Sequence, residues 1–242
     1  MTALLEVGGL TKRFGGVTAV DGCSFGVPRG SITALIGPNG SGKTTLFNLV
    51  TGYLKADAGS VTFDGWTGRP HPGRLSRRGL TRTFQQPRVF RRLSLIENLT
   101  LAAHGRPATL LRRDVRVSDR SRAERILEDV GLAGLRERPA GELSYGQQKL
   151  LEFATTLMGE PKLVLLDEPT AGINPVMIEQ LERHIHALHD RGITFLVVEH
   201  DMSLVMRLCD PVIVMDHGAK LAEGKPHEVQ RDPAVLDAYL GG

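Results

Sequence analysis

Cysteine is scarce in this chain: Cys23 and Cys209 are the only two in 242 residues, far apart and outside any CxxC pattern. That excludes a disulfide-stapled scaffold and fits two buried thiols in a reducing cytoplasm. Long apolar runs are missing too, since none approaches the roughly 18 residues that a membrane-spanning helix needs. The opening MTALLEVGGLTKRF carries Glu6 and shows neither an apolar h-region nor a cleavage site, so no export signal is expected. No repeat period, low-complexity tract or disordered tail occurs. Acids are absent from one stretch. Between Gly65 and Ile96 there is no Asp or Glu, while Arg69, Arg74, Arg77, Arg78, Arg82, Arg88, Arg91 and Arg92 all fall within it. Such a segment reads either as a solvated basic face or as a surface near anionic lipid or nucleic acid, and composition does not decide between them.

What is present is ordinary for a soluble α/β protein. Hydrophobic residues make up 41%, charged residues 24%, and the formal charge is +3. Short apolar runs alternate with helical patterns, which predicts strand-helix-strand units and a parallel sheet. SITALIGP, KLVLLDEP, ITFLVVEH and PVIVMDHG read as buried strands. Asn174 before Pro175 is a helix start, and Ile178, Leu181, Ile185 and Leu188 form one apolar stripe that Gly192 ends. Asp201 caps a shorter helix with Leu204, Val205 and Leu208. LLEVGGL, CSFGV and SVTFDG read as short antiparallel strands around the first helix. From about Arg88 to Glu160 strand character gives way to helices, as an insert within the sheet.

GPNGSGKT supplies the first chemistry. Gly37, Pro38, Asn39, Gly40, Ser41, Gly42, Lys43 and Thr44 match the phosphate-loop pattern G-x-x-x-x-G-K-[ST], with a buried strand before and a helix after. Glycines let successive N–H groups wrap a phosphate, Lys43 reaches the β- and γ-phosphates, and Thr44 offers a hydroxyl to magnesium. LVLLDE ends a buried strand in two carboxylates, which calls for a cation or a reaction. Asp167 is expected to hold magnesium through water, and Glu168, pointing the other way along the pleat, to polarise the attacking water. His200 follows a strand expected beside that one, where it can contact a γ-phosphate. Gln85, in TFQQP, is expected to end a short strand at the joint with the helical insert, where its amide can ligate magnesium. LSYGQQKLLEFA places small and amide-bearing residues before a helical pattern, an arrangement that holds an anion at a helix N-terminus.

Together these residues resemble an ABC-type ATPase subunit over essentially the whole chain. The resemblance identifies GPNGSGKT with the following Thr45 as Walker A, Gln85 as the Q-loop, and LSYGQ as the signature. LVLLDE is then Walker B, AGINP the D-loop, and His200 the switch histidine. Phe14, in KRFGG, falls where the family places an aromatic on adenine, although read alone it is an ordinary core residue. The pattern departs from the family at Tyr145, where the commonest signature has glycine, and at Asn174, where the D-loop usually has aspartate. The resemblance implies a P-loop NTPase, an ABC ATPase core with a parallel sheet, an N-terminal antiparallel β subdomain and a helical subdomain inserted at about 88–160. All of it would form a single nucleotide-binding domain over 1–242. It implies ATP and Mg²⁺ as ligands. Glu168, His200 and Gln85 would serve catalysis, with Thr44, Gln85 and Asp167 on the metal. Ser144, Tyr145, Gly146 and Gln147 would close over ATP on a partner chain in a head-to-tail dimer.

One short domain without spanning helices is the form of a transporter's separate ATPase subunit. LTKRFGGVTAVDG, TRTFQQPRVF, YGQQKLLEFA, AGINP, VVEHDMSLVM and PAVLDAYLGG are similar to the ATP-binding subunits of branched-chain (hydrophobic) amino-acid importers. Urea and short-chain amide importers share much of this pattern, and a non-transport ABC ATPase acting in assembly or on nucleic acid is the alternative. The partners implied are two membrane permease subunits, a second ATP-binding subunit and an extracytoplasmic solute-binding protein, with no nucleic acid expected. The place implied is peripheral, on the cytoplasmic face of the membrane.

Overall fold

The computed structural model describes residues 2–104 and 117–240. Residues 105–116 of the expected helical insert, and Gly241 and Gly242 of the C-terminal motif, lie outside the described residues. Two sheets organise the rest. β1 (Ala3–Phe14), β2 (Val17–Pro28), β4 (Ala58–Phe63) and β5 (Trp66–Thr67) form an antiparallel sheet in the order β2-β1-β4-β5. The second sheet runs β10-β9-β3-β8-β7-β6, from β3 (Ile32–Ile36), β6 (Leu80–Arg82), β7 (Leu163–Asp167), β8 (Thr194–Val198), β9 (Val212–Asp216) and β10 (Ala219–Gly224). Every pairing in it is parallel except that of the edge strand β10.

All residues of β3, β7 and β8 are buried, which is why these strands read as unbroken apolar runs rather than alternating ones. The pleat then divides them between two cores. Ala34, Ile36, Val164, Leu166, Phe195 and Val197 pack on one face with Leu95, Leu127, Leu151 and Ile185. Those partners belong to α3 (Leu95–His104), α4 (Val117–Asp129), α5 (Tyr145–Leu157) and α6 (Pro175–His189). Leu35, Leu163, Leu165, Leu196 and Val198 face the other way, onto the antiparallel sheet and Leu46, Phe47 and Val50 of α1 (Lys43–Thr51).

Several local expectations change. β1 and β2 are 12 residues each, not short strands, and they pair from Ala3↔Pro28 to Phe14↔Val17 through a series of register shifts. Gly9 and Gly22, at φ 59° and 58°, break the apolar alternation there, so the sequence pattern splits into fragments. α6 is capped by Asn174, whose side chain accepts from the Met177 N–H at 3.0 Å, but it ends at His189, before Gly192, which only closes the following turn. α7 (Met202–Leu208) starts at Asp201 as expected. Gln85 lies three residues beyond the end of β6, and both cysteines are buried thiols.

The phosphate loop is wedged between the sheets. The Gly218 N–H donates to Ser41 O at 3.0 Å, and the Asp21 N–H donates to Gly218 O at 2.9 Å. At Gly42 (φ +99°) an added Cβ would stand 2.3 Å from Ala19 O in β2. Gly42→Ala should therefore cost the left-handed strain, about 1–3 kcal/mol, plus a backbone clash. Gly40→Ala, at φ +82° with nothing within 4 Å of the new Cβ, should meet the strain alone. Urea unfolding checks the order; equal losses would remove the wedge.

Candidate functional site

α1 begins without a side-chain cap. Its N-cap is Gly42, and its first turn carries no acid, so its leading N–H groups are left to an external acceptor, as suits an anion. Gly37 is buried at φ +152°, and a Cβ there would stand 2.1 Å from Met215 O; no other residue fits. Pro38 O accepts from the Ser41 N–H at 3.2 Å, which turns the loop, while Asn39 and Gly40 lie exposed at its tip. Lys43 is buried and donates from Nζ to Gly37 O at 2.8 Å, Pro38 O at 2.9 Å and Ser41 Oγ at 3.2 Å. Burial lowers its pKa, and the nearby charge of Glu168 opposes that shift. Thr44 is exposed and Thr45 half-buried at the start of the same helix.

Asp167 ends β7 and is 4% exposed. Its Oδ2 accepts from Arg82 at 2.6 Å, and Arg82 also donates to Asn48 Oδ1 at 2.7 Å and Thr51 Oγ1 at 3.2 Å. The Arg82 guanidinium sits 5.1–5.8 Å from the ring centres of Phe47, Tyr53 and Phe84. Counted as one of a basic run, Arg82 gave no sign of this pairing. The basic segment is therefore not one solvated face: Arg82 is in the core, Arg88 stacks on Phe84 at 3.7 Å, and Arg74 and Arg78 lie over Trp66. Glu168 is not turned by pleat alternation, as the sequence suggested. It lies past the strand in the left-handed region, φ +48°, where an L residue is strained. Val198 O accepts its N–H at 3.0 Å, and its own carbonyl accepts from Lys149 Nζ at 2.7 Å.

That turn aims the Glu168 carboxylate at two side-chain nitrogens. Oε2 accepts from Gln85 Nε2 at 2.8 Å and Oε1 from His200 Nε2 at 2.8 Å. The His200 N–H donates to Glu199 at 3.1 Å, and Glu199 also accepts from the N–H and hydroxyl of Thr170. Thus Glu168, Gln85 and His200 form one hydrogen-bonded cluster, with Lys43 within range of its charge.

Other expected residues lie elsewhere. Ser144 and Gln147 form a capping box at the start of α5: Ser144 Oγ accepts from the Gln147 N–H at 3.3 Å, and Gln147 Oε1 from the Ser144 N–H at 3.0 Å. Gly146 is buried, and among the described residues neither it nor Ser144 bonds to residues 37–44. Tyr145 alone reaches the cluster, its hydroxyl donating to Gln85 O at 3.2 Å. Phe14 is 47% exposed at the end of β1, which corrects its reading as a core residue. Sequence reasoning missed Lys149 and Glu152 of α5, both buried. Burial pushes the Glu152 carboxyl up to about 7, although the N–H groups of Arg88 and Phe84 and the charges of Lys149 and Arg88 pull it down.

Among the described residues no three His, Cys, Asp or Glu cluster as a metal cage. The oxygen donors nonetheless suit a hard cation that shares phosphate oxygens. Gln85 spends its nitrogen on Glu168 and keeps its oxygen, Arg82 engages Oδ2 of Asp167, and Thr44 carries an exposed hydroxyl.

The sequence matches the family model for the ABC transporter over residues 20–171, and that for the branched-chain amino acid ATP-binding cassette transporter over 219–242. It is 41% identical to BraF of Pseudomonas aeruginosa, described as a high-affinity branched-chain amino acid transport ATP-binding protein, with 98% of each chain covered. LivG of Salmonella typhimurium, described in the same words, is also 41% identical over 98% of each chain. A crystal structure of the ADP conformation of an ATP-binding cassette of an ABC transporter superposes with a TM-score of 0.90, at 37% identity and full coverage of both chains. A nucleotide-free cassette gives 0.89 at 37% identity, again over the whole of both chains.

Two outcomes follow from the buried charges. Arg82→Met strands the Asp167 carboxylate and should cost about 3–5 kcal/mol in urea unfolding, most of it recovered when Asp167→Asn is added; no recovery would mean that packing, not charge, explains the loss. Glu152, raised from 4.5 to about 7, binds its proton more tightly in the folded chain. Its stabilising contribution is thus full below about 4.5 and lost as pH rises through about 7, on the order of 3 kcal/mol. Unfolding between pH 5 and 8 should show that decline in the wild type and not in Glu152→Gln; parallel curves would refute it.

Proposed function

The chain belongs to the ABC transporter family of ATP-binding subunits, and from that premise we propose that it hydrolyses ATP to drive import of branched-chain amino acids. The observation that carries the catalytic part is the Glu168 carboxylate held at 2.8 Å by both Gln85 and His200. Two fixed donors leave that carboxylate one orientation. It accepts the proton of the attacking water, while Gln85 and His200 keep it aimed. Lys43 gives up the three loop oxygens it now holds and turns to the β- and γ-phosphates, where the uncapped N-terminus of α1 adds its N–H groups. Gly37 to Thr45 form this cradle, and Phe14, exposed on the rim of the antiparallel sheet, stacks on adenine. Thr44, Gln85 and Asp167 would hold magnesium, which when bound supplies positive charge to the phosphates.

The chain acts as a single nucleotide-binding domain, with a helical subdomain inserted at about 88–160, to which the described helices α3, α4 and α5 belong. Two such chains, identical or not, meet head to tail, so that Ser144, Tyr145, Gly146 and Gln147 of one close over ATP on the other. The capping box supports this reading, because it fixes the backbone of α5's first turn. The assembly includes two membrane permease subunits and receives solute from an extracytoplasmic binding protein. Among the described residues no helix is long and apolar enough to cross a membrane, and we place the chain on the cytoplasmic face, docked to those permeases. The likeness of residues 219–242 to the branched-chain family model supports the choice of solute.

Glu168→Gln should lower ATP turnover by about 10²–10⁴ with ATP affinity retained, whereas Lys43→Ala should weaken affinity itself. Phosphate release and nucleotide titration separate the two, and undiminished turnover in Glu168→Gln would remove it as the base. In proteoliposomes holding the permease subunits, labelled leucine should accumulate only with ATP and wild-type subunit. Accumulation of urea or a short-chain amide instead of leucine would overturn the choice of solute.

A further inference from the structure

Gln85 sits in a loop without regular structure, between the end of β6 and the helices that follow. Such a loop has backbone groups that need partners, and one helix supplies three. The Tyr145 hydroxyl donates to Gln85 O at 3.2 Å, Glu152 Oε1 accepts from the Arg88 N–H at 3.0 Å, and Glu152 Oε2 accepts from the Phe84 N–H at 3.4 Å. Tyr145 and Glu152 are seven residues apart on α5, two turns, and so share a face. The loop is gripped before Gln85, at Gln85 and after it.

Resting on the reading of Glu168 and Gln85 as catalytic, we infer that Tyr145 and Glu152 are positioning residues, a two-point clasp by which α5 fixes Gln85 against Glu168. The chemistry of Glu152 suits this task. A hydroxyl or amide would accept from one end of the loop and leave the other amide unmet; a carboxylate accepts from both. Burying it to 4% exposure costs stability, and an apolar side chain would avoid that cost if packing were the only need. Arg88 closes the loop on itself, its guanidinium over the Phe84 ring at 3.7 Å. The same helix face holds the backbone of the catalytic residue, since Lys149 Nζ donates to the Glu168 carbonyl oxygen at 2.7 Å and lies 5.6 Å from the Tyr145 ring centre. α5 therefore ties the Gln85 loop and the Glu168 backbone to one rigid element. Tyr145, which stands where most signatures carry glycine, is the point at which the signature segment touches the hydrolytic cluster.

The test uses the full chain with Glu152→Gln and Tyr145→Phe, the first isosteric and the second at a ring that is 43% exposed. Hydrogen exchange followed by mass spectrometry reads the amides of residues 84–88, a fluorescent ATP analogue reads affinity, and phosphate release reads kcat. Glu152→Gln should speed exchange in that segment about tenfold, the loss expected for one hydrogen bond. Its kcat should drop by a similar factor, about tenfold, with nucleotide affinity kept within about twofold. Tyr145→Phe should lower kcat in the same direction and by less. Exchange at the wild-type level in Glu152→Gln would overturn the clasp, and so would affinity falling in step with kcat, which marks a fold defect. Glu168→Gln tells the two readings apart: it should lower turnover by about 10²–10⁴ and leave exchange at 84–88 unchanged. If the wild type itself releases no phosphate, the catalytic reading fails, and the exchange comparison alone still decides whether α5 holds the loop.

Discussion

Parallel pairing brings the phosphate loop, Gln85, Asp167, Glu168 and His200 to one edge of the sheet. β6, β7, β8, β3 and β9 lie side by side in one direction, so their carboxyl ends open together, where ligands of open α/β sheets bind. The register is close: Asp167 pairs with Val198, Leu35 with Val198, and Arg82 with Leu165. Walker A leaves β3, Asp167 and Glu168 leave β7, His200 leaves β8 and Gln85 leaves β6, all within a few residues of those pairs. Strands buried on both faces cannot slip by one residue without exchanging the two cores, because Leu35 and Ile36 serve opposite ones. The same packing that stabilises the sheet thus fixes the distances in the site.

That edge also gathers charges that a core does not tolerate alone. Lys43, Lys149, Glu152 and Asp167 are each under 9% exposed. None is left bare: Lys43 and Lys149 donate to carbonyl oxygens, Glu152 accepts from two amides, and Asp167 pairs with Arg82. Pairing limits the desolvation cost without removing it, so these groups trade stability for placement. The strained backbone at Glu168 is of the same kind. Its φ of +48° persists because Val198 O and Lys149 hold the turn on both sides, and it directs the carboxylate where pleat alternation alone would not.

The sequence was most legible where chemistry is local. Gly37 to Thr44, Asp167 with Glu168, and the Asn174 and Asp201 caps each declare themselves within a few residues, because loops, strand ends and caps are short-range structures. The antiparallel strands were less so, since positive-φ glycines interrupt the alternation by which strands are recognised. Arg82, Glu152 and the bond of Tyr145 were not legible at all. Their partners are 85, 64 and 60 residues away, and nothing in a run such as RTFQQPR tells a buried guanidinium from a solvated one. Phe14 shows the reverse error: its aromatic character suggested core, but its place at a strand end leaves it outside.

The helix α5 links the signature turn to the Gln85 loop. Its capping box fixes the backbone of the signature turn, and the same helix, through Tyr145, Lys149 and Glu152, reaches the loop of Gln85 and the carbonyl of Glu168. A rigid helix transmits displacement along its whole length, because its ladder of hydrogen bonds resists bending far more than a loop does. Contact made at its first turn is therefore felt two turns on. A glycine in place of Tyr145 would leave the signature turn intact and remove the nearer of the two grips on Gln85. The departure from the common signature is thus a difference in how firmly the signature turn is tied to the Gln85 loop, and it leaves Glu168, Gln85 and His200 themselves unchanged.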